Sequence, residues 1–252
     1  MARNFDESDD YIEITSDSSV NGLSQYSIAM WATRESGGEG GYGCMAYKGT
    51  TSSPNRYWRW ENDNEGAGWG LAFIVEWSSS QGAWSIDYPD TAYHNYVITY
   101  DSGDTGNDPI IYKDGTSVTV TDRLTPSGTL ATDNTELNIG SNTARAQTWD
   151  GSIAEFAIWN RILTAAEAKG IGAGFSPLFY PNGLVLYTPL IGRSSPEIEL
   201  IKGTGGTVNG AVVAAHPPII YPSASQMIKF GGAVDSTVVK DLIMAGIIPF
   251  AR

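Results

Sequence analysis

What most limits the fold of this chain is a rhythm. Short runs rich in Val, Ile, Tyr, Phe and Trp recur along it, bounded by Gly, Asn, Asp, Ser and Pro. Runs of this kind read as β-strands. They cover Tyr11 to Ile14, Tyr26 to Thr33, Trp69 to Trp77, Asn95 to Tyr100, Ile110 to Lys113, Ser117 to Thr121, Glu136 to Ile139, Ile153 to Asn160 and Leu184 to Leu190. Strands at this spacing fit an all-β sandwich. Asp114-Gly115, between two runs, predicts a tight hairpin turn because both positions tolerate positive φ.

One helix is expected in the body. Thr164 caps a short turn through Lys169, Glu167 completes a capping box, and Gly170 ends it. Beyond Pro222 the pattern changes, which divides the chain into a domain over 1–225 and an apolar tail over 226–252. In that tail Val238, Val239, Leu242, Ile243 and Ile247 draw one stripe along a short helix.

Four segments carry a family likeness. Asn4 to Ile14 (NFDESDDYIEI) is similar to a strand pattern F-D-G-x-D-D-Y-V-E-I, with Glu7 where glycine is usual, and Tyr26 to Trp31 (YSIAMW) to F-T-I-S-A-W. Tyr93 to Asp101 (YHNYVITYD), followed by Tyr112 to Gly115 (YKDG), matches W-H-H-V-A-V-T-Y-D and Y-V-D-G. Most specific is Leu137 to Ser141 (LNIGS), then Trp149 to Glu167 (WDGSIAEFAIWNRILTAAE), against L-x-I-G and F-x-G-x-I-D-E-V-R-I-W-N-R-A-L-S-x-x-E. The chain thus resembles the laminin G-like, concanavalin A-like lectin/glucanase superfamily, which includes pentraxin-like domains. The resemblance covers about residues 3 to 170 and implies an antiparallel β-sandwich jelly roll. It leaves function open, because one fold hosts many sites.

Charge and cysteine content narrow the partners. The net charge of −13 repels nucleic acid and anionic membrane. Cys44 is the single cysteine, so no intrachain disulfide forms. MARNFDESDDYIEI lacks the apolar stretch of a signal peptide, and a cytosolic product is expected.

Candidate chemistry is sparse. Glycosidases of this fold carry paired acids on one strand; the nearest matches are Glu197-Ile198-Glu199, without a third acid, and Asp9-Asp10-Tyr11-Ile12-Glu13. The two histidines, His94 and His216, read as structural or exposed, which leaves no general base for a serine or cysteine hydrolase. Asp101, Asp104, Asn107 and Asp108 put four oxygen donors on one loop and are candidate calcium ligands. In RYWRWENDNEGAGWG, alternation sets Trp58 and Trp60 on one face and Tyr57 and Arg59 on the other, while Trp69, Leu71, Phe73, Val75 and Trp77 share a face and read as core. Glu61 to Gly68 reads as the turn between two strands. Trp84 and Tyr88, beside Pro89 in an expected loop, are the candidate sugar contacts, with Tyr57 and Arg59 next.

The lead expectation is a non-catalytic structural protein of a bacteriophage virion, a capsid decoration (cement) or fibre type. It would be made in the host cytoplasm and would partner copies of itself, other virion proteins and cell-surface glycans. The alternatives are a soluble or secreted (extracellular) carbohydrate-binding lectin-like module, then a glycoside hydrolase.

Overall fold

A computed structural model describes residues 1–15, 17–50, 56–63, 68–131, 134–192 and 195–223. The assembly stripe Val238, Val239, Leu242, Ile243 and Ile247 lies outside them.

Among the described residues two antiparallel sheets face each other. Sheet one runs, in spatial order, β10 (Thr116–Ser117), β9 (Ile110–Lys113), β8 (His94–Asp101), β3 (Gln25–Ala32), β13 (Asp150–Trp159), β1 (Ala2–Asp6) and β16 (Val212–Ala214), with β14 (Leu184–Thr188) also on β13. Sheet two runs β11 (Thr121–Leu124), β7 (Gly82–Ile86), β6 (Gly70–Val75), β5 (Arg56–Asp63), β4 (Cys44–Gly49), β12 (Leu137–Ile139), β2 (Tyr11–Ile14) and β15 (Gly206–Asn209). This is the jelly-roll sandwich that the strand rhythm and the resemblance imply.

The core lies between the sheets and is unusually aromatic. Trp58, Trp60, Phe73, Val75 and Trp84 come from the inner face of sheet two; Tyr26, Tyr96 and Tyr100 come from sheet one. The rings meet edge-on, Trp60 to Tyr96 at 5.7 Å and Tyr26 to Tyr100 at 6.0 Å between centroids. Each such pair adds about 0.5–1.5 kcal/mol beyond the area it buries. A second cluster covers the outer face of sheet one, where Ala157, Trp159 and Tyr187 pack beneath α1 (Ala165–Gly172) and Leu178 and Leu200.

Strand β13 changes partner midway. Its first half pairs with β1 and its second with β14, and at the crossover the register against β3 shifts between Ala154 and Ala157. Glu155 sits in that irregularity at φ 57°, the left-handed region that a non-glycine residue enters only at a cost.

Several expectations change. The run Ser117 to Thr121 is not one strand: Thr116–Ser117 closes the β9 hairpin, and the chain then crosses to sheet two as β11. The hairpin turn itself forms as read, with Asp114 at φ 52° and Gly115 at 74°. The Thr164 capping box forms with both hydrogen bonds, but α1 runs on to Gly172. Its glycines are sites of close approach: a Cβ on Gly170 would strike the Tyr180 hydroxyl, and one on Gly172 the backbone of Gly115. Trp69 leaves the expected face. Gly70, at φ 95°, breaks the alternation, and Trp69 packs with Ala72, Ile74 and Ala83 on the outer side of sheet two.

Candidate functional site

The outer face of sheet two carries a cross-strand row of polar and aromatic side chains. Glu13 on β2 faces Asn138 on β12, Asn138 faces Tyr47 on β4, and Tyr47 faces Arg59 on β5. Arg145 lies against this row, donating to Asn138 Oδ1 at 2.8 Å and to Glu13 Oε2 at 2.5 Å, its guanidinium carbon 3.9 Å above the Tyr11 ring. Along β5 the same face takes every second residue, which brings Arg59, Glu61 and Asp63 into line.

Beside this line is a cavity of about 200 Å³, lined by Tyr42, Tyr47, Arg59, Glu61, Asp63, Asn142 and Gln147. Arg59 and Glu61 form its floor, only 8% and 4% exposed. Arg59 Nε donates to Glu61 Oε1 at 2.8 Å and a terminal nitrogen to Gln81 Oε1 at 3.4 Å, with Glu76 Oε2 at 3.9 Å. Burial works against the Arg59 charge, but the Glu61 carboxylate outweighs it and raises the guanidinium pKa. Burial also pushes the Asp63 carboxyl above its usual range, opposed by Arg59 and Arg123. On the far wall Asn142 donates to Gln147 Oε1 at 2.6 Å and accepts from the Ala146 amide. Such a lining of two phenols, two amides, two carboxylates and a guanidinium can hydrogen-bond vicinal hydroxyls and stack on a sugar ring.

The four residues expected to touch sugar divide. Arg59 lies in the cavity floor. Tyr57 does not share its face: the register with β4 shifts between Lys48 and Gly49, and Tyr57, the extra residue of that bulge, turns inward to pack on Tyr26 at 6.2 Å. Trp84 is no loop residue either. It pairs with Phe73 inside β7, is fully buried 5.1 Å from the Tyr100 ring, and donates to Asp108 Oδ1 at 2.7 Å. Tyr88 does follow the strand in a loop, its hydroxyl on the Asp63 carbonyl at 2.7 Å and Arg34 over its ring at 4.8 Å.

Of the four candidate calcium ligands, Asp101, Asn107 and Asp108 line one cavity of about 300 Å³, and each of the four is engaged within the protein. Asp101 and Asp104 each accept from the amide two residues on, Asp108 accepts from Trp84, and Asn107 donates to the Asp101 carbonyl. The bonds of Asp101, Asp104 and Asn107 are turn bonds, whereas that of Asp108 ties the loop to β7. Among the described residues no group of three His, Cys, Asp or Glu converges on a point where a metal would sit. The acids Glu197 and Glu199 are structural as well. Glu197 is fully buried and holds Arg3 at 2.6 Å; Glu199 accepts from the amides of Tyr187, Ile201, Lys202 and Gly203. His94 is held between Asp90 and Asp114, and His216 lies 3.2 Å from Glu155. Cys44 is fully buried, which pushes its thiol well above the usual range.

Tyr42, Tyr47, Glu61, Asp63, Asn142 and Gln147 were not legible as a group. The alternation Arg59, Glu61, Asp63 was the available signal, hidden once Glu61 to Gly68 is read as a turn. Asn142 and Gln147 belong to an irregular connection with no periodicity to betray it.

Comparison with known proteins agrees with this architecture. No curated protein matches the sequence. A proposed carbohydrate-binding protein from Bacteroides ovatus superposes with a TM-score of 0.56 at 20% identity, over 87% of this chain and 61% of that one. This chain therefore spans about three fifths of that protein's length. A heptameric SAP-like pentraxin from Limulus polyphemus gives 0.48 at 12% identity over 68% and 81% of the two chains; domains LG4-5 of mouse laminin α1 give 0.49 at 11% over 66% and 43%. The sequence profile of one family matches residues 6–169, and by that match, over a fold of the expected kind, the chain belongs to the concanavalin A-like lectin/glucanases superfamily.

Proposed function

We propose that this chain is a non-catalytic carbohydrate-binding module that seats a sugar in the cavity on the outer face of sheet two. The observation that carries this reading is the polar lining of that cavity by Tyr42, Tyr47, Arg59, Glu61, Asp63, Asn142 and Gln147. Strands position the floor, and the connection holding Asn142 and Gln147 supplies the wall. Binding to a glycan array is the test. Tyr42→Ala and Gln147→Ala, both at partly exposed positions, should each lower affinity about tenfold with the fold intact. Absence of binding across the array would sink the proposal.

A second reading, glycoside hydrolysis, has one observation in its favour. Glu61 and Asp63 stand two positions apart on one strand face, about 7 Å along the strand, near the separation of paired catalytic carboxylates. Release of reducing ends from β-glucans, abolished by Glu61→Gln, would replace the binding reading with this one.

For the setting we propose the surface of a bacteriophage particle, with residues 226–252 as the attachment arm and copies of the chain and other virion proteins as partners. Support comes from the net charge of −13, the single cysteine and the apolar stripe in that segment. Removing residues 226–252 should abolish self-association or particle binding by light scattering. An unchanged profile would favour an extracellular module.

A further inference from the structure

The charge balance of the cavity narrows what it can hold, an inference that rests on the glycan reading above. Arg59 has the look of an anion hook, yet its guanidinium is spent within the protein, on Glu61 at 2.8 Å and Gln81 at 3.4 Å, with Glu76 at 3.9 Å. Two almost fully buried carboxylates thus face one guanidinium. Asp63 is left at the mouth, partly buried, and no hydrogen bond or ion pair to its carboxylate is found among the described residues. Apart from Arg59, the cation that acts on it is Arg123. Arg123 is itself committed to Ser85 Oγ at 2.8 Å and to the Trp69 carbonyl at 3.2 Å, and lies 5.8 Å over the Trp69 ring. Both guanidiniums are thus engaged by groups of the protein, and the charge left at the opening is that of Asp63.

We propose that the cavity takes an amino sugar, a 2-amino-2-deoxyhexose with a free ammonium, in preference to neutral or acidic sugars. The ammonium sits on Asp63, the ring face on Tyr42, and the hydroxyls on Glu61, Asn142 and Gln147. A bond between two charged partners is roughly twice as strong as one between neutral groups. A uronate or sialate carboxylate meets Asp63 in a lining whose one described cation, Arg59, is already engaged, and the net charge of −13 also slows its approach.

Isothermal titration calorimetry at about pH 6, where the sugar amine is protonated, decides this with three probes: a fully de-N-acetylated chitosan tetramer, its N-acetylated counterpart and tetragalacturonate. The de-N-acetylated tetramer should bind about tenfold tighter than the N-acetylated one, and tetragalacturonate should give no heat. Asp63→Asn should erase the difference between the first two. Should that variant fail to fold, salt carries the same test on the unaltered protein, because screening must shrink the preference. Equal affinities, or tightest binding of the uronate, overturn the amino-sugar preference and leave the glycan reading standing. No heat with any of the three probes overturns the amino-sugar preference, and the glycan array alone then decides the glycan reading.

Discussion

At the scale of single residues, Glu155 is a costly placement. It combines positive φ with a carboxylate only 2% exposed, and two phenols donate to it, Tyr187 Oη at 2.6 Å and Tyr221 Oη at 2.5 Å, with His216 Nε2 3.2 Å away. Burial, with the Glu155 charge adding to it, pushes both phenols above their usual range. Glu155→Gln keeps the shape but turns one acceptor into a donor aimed at a hydroxyl. It should cost about 1–3 kcal/mol in urea denaturation. Glu7 is a milder case, at φ 70° on an exposed turn where the family pattern carries glycine. Glu7→Gly should be neutral or raise stability by up to about 1 kcal/mol, since relief of left-handed strain offsets the added freedom of the unfolded chain.

Two carboxyls give opposite pH dependences. Burial, reinforced by Asp6 and Asp9, lifts Asp10 from 3.8 to about 6, so the folded chain binds this proton more tightly and stability falls as pH rises through that window. Arg161 and the Thr164 cap hold Glu167 down from 4.5 to about 2, so its contribution is present above 4.5 and lost as pH falls through about 2. Asp10→Asn should flatten the decline in melting temperature from about pH 4 to about pH 7; an unaltered slope would refute the assignment.

Among elements, strand parity carried most of what the sequence could say, and glycines and bulges decided where it failed. Trp58, Trp60, Leu71, Phe73, Val75 and Trp77 face inward as the alternation requires. Tyr57 and Trp69 do not obey it, because one occupies a bulge and the other precedes Gly70, and a register slip of one residue reverses a side chain's face. Trp84 was misplaced because Pro89 drew attention to a loop that begins only after β7 ends at Ile86. In α1 the capping box was readable, but the need for Gly170 and Gly172 was not, since it arises from Tyr180 and the β9–β10 hairpin. Gly172→Ala, which helix propensity alone would favour by about 1 kcal/mol, should instead lower the melting temperature. A rise would show that the hairpin yields.

For the whole molecule, sheet class and jelly-roll topology were legible because hydrophobic period and turn chemistry agree along the chain. The site was not, because it gathers β4, β5 and the connection before β13 across long sequence separations. Yet its position has a consequence for use. Tyr221, bonded to Glu155, and the amide of Ser176, bonded to the Ile220 carbonyl, hold the chain against the outer side of sheet one just before Ser223, whereas the cavity opens on the outer side of sheet two. The last described residues thus lie on the side of the sandwich opposite the cavity. A tether attached at Tyr221 and a ligand in the cavity would pull through the sandwich along the line joining its two faces.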